Sequence, residues 1–88
     1  MNFVHYDLGY KNGGEVVEVT LSGNAANVRL MTQSNFQNYR NGRAHQCIGG
    51  HYKQSPVRLK IPSSGNWCVT VDLGGYAGNV NSSVRVLG

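Results

Sequence analysis

Eighty-eight residues leave room for one domain, 1–88, with a single thin core. Hydrophobic residues make up 40% and charged residues only 14%, with twelve glycines; a disordered chain would need more charge and fewer aromatics, and is excluded. The net charge of +4 and pI near 9.4 bring anionic partners into view, but Lys11, Arg29, Arg40, Arg43, Lys53, Arg58, Lys60 and Arg85 are dispersed and form no basic run.

In chain order, residues 2–8 alternate, and the pattern predicts a strand with Val4, Tyr6 and Leu8 toward the core and Phe3, His5 and Asp7 on the other face. The segment 9–14 (GYKNGG) reads as a turn, because Asn-Gly and Gly-Gly supply positive φ at little cost. Residues 15–22 form the next strand, with Val17, Val19 and Leu21 inward and Glu18, Thr20 and Ser22 on a wet face, as in an antiparallel sheet. Residues 26–32 follow with Val28 and Leu30 inward and Asn27, Arg29 and Met31 outward; the two strands read as a hairpin through Gly23-Asn24.

SNFQNYRNG, residues 34–42, breaks the alternation. Ser34 is placed to cap a single helical turn carrying Phe36, Tyr39 and Arg40, and Asn41-Gly42 to stop it. A strand is expected at 45–48, a turn or bulge at Gly49-Gly50 and a return arm at 51–54. In VRLKIPSSGNWCVTVDLGGY, residues 57–76, Val57, Leu59 and Ile61 alternate with Arg58 and Lys60. Pro62 removes a strand N–H, and P-S-S-G reads as a hairpin turn. Beyond it Trp67, Val69, Val71 and Leu73 share one face, with Trp67 as core anchor; Cys68, Thr70 and Asp72 share the other, Asp72 as an outward or rim residue. The last strand spans 79–87, with either Val80, Ser82, Val84 and Val86 or Asn81, Ser83, Arg85 and Leu87 facing the core, the valine set preferred.

Six to eight short strands with turn signals between them and no βαβ pattern predict an all-β domain. The architecture is an antiparallel β-sandwich, jelly-roll-like, or a partly open barrel, with one short helical turn. Two cysteines are too few for a disulfide framework, and MNFVHYDLGY lacks the basic and apolar regions of a signal peptide. No stretch approaches the ~20 apolar residues of a membrane helix. A cytoplasmic protein with reduced thiols and no membrane contact is the expectation.

Taken together, MNFVHYDLGYKNGGEVVEVTLSGNAANVRLM, SNFQNYRNGR and SPVRLKIPSSGNWCVTVDLGGYAGNVNSSVRVL resemble the bacterial family of domains of unknown function numbered 1883 (DUF1883). The set HYDLG, NVRLM, NFQNYRNG and VDLGGYAG carries the likeness over nearly the whole chain. The resemblance implies a small all-β, sandwich-like bacterial domain with no established catalytic activity. Some relatives place it before a TIR domain, which implies sensing or adaptor work; this chain has no TIR segment. The family supplies no functional residues to carry over.

Several constellations can be weighed as sites. His45, Cys47 and His51, with Cys68, are metal-ligand types, but H-x-C-x3-H is not the paired spacing of a structural zinc site, and no metal or other cofactor is predicted. Cys47 beside a histidine is the one thiol-nucleophile candidate. His5 and Asp7 share a strand face, as a base and its orienter would, without a nucleophile tied to them; Glu15 and Glu18 fall on opposite faces. Arg29, Arg58, Lys60 and Arg85 sit on outward strand faces and form a basic stripe if one sheet holds them all, which is the nucleic-acid reading. Asn35, Asn38, Tyr39, Arg40 and Arg43 occupy a polar aromatic segment suited to a small polar ligand, with Tyr10 and Tyr76 as a second rim. The expected function is a non-catalytic binding or interaction module, a sensor or adaptor, rather than an enzyme. A protein partner or a second copy would join through the edge strands. A basic nucleic-acid-binding β-domain is the alternative, and a small metal or thiol site a more distant one.

Overall fold

A computed structural model describes residues 3–74 and 78–87. The strands are β1 (Phe3–Lys11), β2 (Val16–Gly23), β3 (Ala26–Thr32), β4 (Ile48–Tyr52), β5 (Val57–Lys60), β6 (Gly65–Asp72) and β7 (Val80–Leu87), with one helix, α1 (Gln33–Arg40), between β3 and β4. A four-stranded sheet runs β1-β6-β3-β4 and a three-stranded sheet runs β5-β2-β7; every pairing is antiparallel. The sheets pack face to face as an open sandwich. Val17 and Val19 of β2 and Val57 and Leu59 of β5 meet Val28 and Leu30 of β3 and Trp67, Val69 and Val71 of β6.

The alternation in the sequence assigns most of these faces correctly, and Trp67 is buried in the core as expected. Val80 and Val84 of β7 also pack on it. Val4 does not: it is 44% exposed, because it lies on the edge strand β1 where the narrower sheet fails to cover it. On the same side of the sandwich the Tyr6 hydroxyl donates to the Ser82 carbonyl at 2.8 Å, joining edge to edge.

Two expected hairpins are absent. β2 and β3 lie in different sheets, as do β5 and β6. Gly23-Asn24 and residues 61–64 are therefore crossings between layers. At the first crossing the Asn24 N–H donates to the Asn79 carbonyl at 2.9 Å, and the Asn79 N–H returns to Asn24 Oδ1 at 2.8 Å. At the second, the Ile61 N–H donates to the Glu15 carbonyl and the Gly14 N–H to the Ile61 carbonyl, each at 2.8 Å.

The outer face of the larger sheet is not wet. α1 lies across it, capped by Thr32 rather than Ser34, and ended by Asn41 and Gly42 as expected. Phe36 and Tyr39 point down onto Met31 and Cys68, with Phe3 alongside. Met31, Cys68, Thr70 and Asp72, all read as outward, are consequently 2% exposed or less. Eight residues of helix thus turn one half-wet sheet into a second, smaller core.

β4 begins at Ile48, later than expected, and includes the glycine pair instead of turning at it. Gly49 has φ +127°, and a Cβ there would overlap the Val28 carbonyl oxygen on β3. Gly49→Ala is expected to loosen β4 and destabilise the domain by about 1–3 kcal/mol; an unchanged Tm would show that β3 and β4 do not approach this closely.

Candidate functional site

Where β3 ends and β6 begins, beside the 61–64 crossing, lies a cleft of about 340 Å3. Leu30, Ile48, Pro62 and Trp67 supply its apolar lining. Thr32, Asn35, Gln46 and Ser63 supply polar groups, and Cys47 completes the wall. The volume lies toward the lower end of the ~300–1,000 Å3 typical of small-molecule sites.

The walls are braced from within. The Trp67 indole N–H donates to the Ser63 carbonyl at 2.9 Å, pinning the ring to the 61–64 crossing. Asn35, in the first turn of α1, accepts the Gln46 N–H on Oδ1 at 2.9 Å and donates from Nδ2 to Thr32 Oγ1 at 3.0 Å. Helix, loop 41–47 and strand β3 are therefore tied at one rim by a single side-chain amide. Gln46 and Cys47 are exposed at the mouth.

At the other end of the β3–β6 ladder, on the helix-covered face, lies a buried polar network centred on Asp72. Its Oδ1 accepts from Asn27 Nδ2 at 2.9 Å and from the Gly74 N–H at 2.8 Å. Its Oδ2 accepts from the Tyr39 hydroxyl at 2.8 Å and pairs with the Arg29 guanidinium, which also lies over the Tyr39 ring. Burial by itself would raise the Asp72 pKa; the bonds from Asn27, Tyr39 and Gly74 and the Arg29 charge outweigh it and hold the carboxyl below its ordinary value. Burial, reinforced by Asp72, pushes Tyr39 up to about 12. Burial likewise pushes the Cys68 thiol up to about 12, leaving it inert at neutral pH. With four donors already on its two oxygens, Asp72 has no lone pair left to act as a base.

The segment of ligand candidates divides. Asn35 reaches the cleft, while Tyr39 is committed to Asp72. The Asn38 carbonyl accepts the Arg43 N–H at 2.8 Å, whereas Arg40 is exposed with its guanidinium over Phe36. Arg43 is exposed on the loop. Of the proposed second rim, Tyr10 is 63% exposed on β1 and Tyr76 lies outside the described residues, as does Gly75.

Arg58, Lys60 and Arg85 share the outer face of the three-stranded sheet, but Arg29 is on the other sheet, so the four make no single stripe. Arg58 and Arg85 flank Glu18 in register and bond it through Nε at 2.9 and 2.6 Å. The Arg85 bond is the main reason the Glu18 pKa is lowered, and the two arginines cover a carboxylate that was read as solvated.

His5 does not meet Asp7 as a base would meet its orienter: it stacks on Phe36 at 4.0 Å, while Asp7 accepts from the Gly9 N–H and Gln33 Nε2. His45 lies against the Tyr39 ring with Nδ1 3.2 Å from the Arg43 carbonyl oxygen, and His51 Nδ1 is 3.2 Å from Asn27 Oδ1. Both cysteines are free, Cys47 exposed and Cys68 buried. Among the described residues no three His, Cys, Asp or Glu side chains converge as a metal site would require, and no helix is long and apolar enough to cross a membrane.

Sequence reasoning placed Asn35 on a binding segment but missed Gln46, Pro62 and Trp67 as its companions, because a sheet crossing, not local spacing, brings them together. The signal available was Trp67 directly after a Pro-Ser-Ser-Gly-Asn connection, where a strand emerges at the end of the sandwich. Comparison with curated proteins and with solved structures returns no match. The family described as domain of unknown function (DUF1883) matches residues 1–88, and the chain belongs to that family.

Proposed function

We propose that this domain is a non-catalytic binding module that takes a small ligand in the cleft at the end of the sandwich, in a sensing or adaptor role. The observation carrying this reading is the cleft itself: about 340 Å3, apolar at its base, polar at its rim, and braced by Asn35 and Trp67. A ligand seated there touches helix α1, loop 41–47 and the 61–64 crossing at once, so occupancy is felt by three segments that are apart in sequence. The Asp72 network at the far end of the β3–β6 ladder, saturated internally, serves to hold α1 and β3 in place rather than to do chemistry.

The test is a thermal-shift screen with sugars, nucleotides and nucleosides, run on the native domain and on Cys47→Trp. Cys47 is exposed, so the indole fills the mouth without entering the core. A ligand at 100 times its Kd adds about 2.7 kcal/mol, a Tm rise on the order of 10 °C for a domain of this size. The expected result is such a rise in the native domain and its loss in the variant. No rise with any compound, or equal rises in both proteins, overturns the reading.

A further inference from the structure

We infer that the cleft selects an uncharged, hydroxylated, saturated ring, a neutral sugar of one or two residues; this rests on the cleft being the binding site. The argument is one of matching chemistry. None of the side chains around the cleft carries a carboxylate, ammonium or guanidinium group. On the helix-covered face Arg29 pairs with Asp72, and on the smaller sheet Arg58 and Arg85 pair with Glu18. A charged ligand would shed water on entry and meet no counter-charge.

A wholly apolar ligand fares no better, since Thr32, Asn35, Gln46 and Ser63 would lose water without gaining a partner. These are amides and hydroxyls, which both donate and accept, as sugar hydroxyls do. Internal bonds use part of Asn35 but leave one Nδ2 hydrogen, and the Gln46 amide stands exposed at the mouth. A flat base requires an open stacking platform. Trp67, only 6% exposed, offers no such platform, only an edge of apolar surface beside Leu30 and Pro62.

Trp67 is the sole tryptophan and lies in the wall, so its emission reports on the site directly. Titrate the domain with methyl glucoside, N-acetylglucosamine and cellobiose, and in parallel with glucuronate, glucosamine and glucose 6-phosphate. The expected result is a saturable change in Trp67 emission with at least one neutral sugar, at least tenfold weaker binding of every charged ring, and a roughly tenfold loss of neutral-sugar affinity in Gln46→Ala, the scale of one hydrogen bond. Charged rings binding as well as neutral ones, with the response abolished by Cys47→Phe, which fills the mouth without adding a second tryptophan, would overturn the ligand class and leave the cleft standing. So would silence toward all six compounds while the wider screen still finds a ligand blocked by Cys47→Trp. Silence in both experiments removes the ligand class and the cleft reading together.

Discussion

Asp72→Ala is expected to cost about 3–5 kcal/mol, the range for breaking a buried charge pair, and to lower the urea midpoint accordingly. The size follows from what is left behind. Arg29, Asn27, Tyr39 and the Gly74 N–H all lose an acceptor in a place with little water. Such a loss is a large share of the ~5–15 kcal/mol that holds a small domain together. Asp72→Asn keeps the shape but turns an amide NH2 toward donors, so it restores only part of the stability.

The same carboxylate sets a pH dependence. Its folded pKa is depressed, so the unfolded chain takes up the proton first on acidification. The stabilisation is complete above the unfolded value of ~3.9 and is lost as the pH falls through the folded value. The stability gap between native protein and Asp72→Asn should therefore be constant near neutrality and narrow below about pH 4. A gap that stays constant through the acid range would show that Asp72 is not held ionised by this network.

Trp67→Ala is the second large effect, about 3–5 kcal/mol for emptying an indole from a packed core. It also removes the bond to the Ser63 carbonyl, freeing the 61–64 crossing, so ligand binding in the cleft should disappear with the stability. Trp67→Phe separates the two roles. Most of the apolar contact survives and the fold should hold, whereas the crossing loses its anchor and affinity falls. Chemical denaturation and ligand titration on the same samples distinguish these outcomes; equal affinity in Trp67→Phe and native protein would deny the indole N–H any part in shaping the cleft.

Period-two alternation made the inner faces of β2, β3, β5 and β6 legible, because it reports which way a side chain points. It does not report which strand lies alongside, and so Gly23-Asn24 and Pro62-Ser63-Ser64-Gly65 looked like hairpin turns when they are passages between layers. It also treats polar alternates as wet. Met31, Cys68, Thr70 and Asp72 broke that assumption, since a helix eight residues long covers them and brings Tyr39 and Arg29 to satisfy the carboxylate. The helix end at Asn41-Gly42 was readable from local chemistry alone, while its start at Thr32 was missed because Ser34 is an equally good capping type. Of the cleft residues, Asn35 as a ligand contact and Cys47 as a thiol are singled out by the sequence; Gln46, Pro62 and Trp67 become their neighbours through the tertiary arrangement.

The layer-switching order of the strands has a kinetic meaning. Among the described residues, β3 and β4 are the sole consecutive strands that pair, and even they are separated by α1. β1 has no partner until β6 exists, and β2 waits for β5 and β7. With almost every ladder closing a long loop, no local turn can seed the structure, and the entropy of loop closure must be met before contacts repay it. On the ribosome, the larger sheet can close once β6 has emerged and the smaller one is complete only when β7 follows, a topology on the slow side for its length.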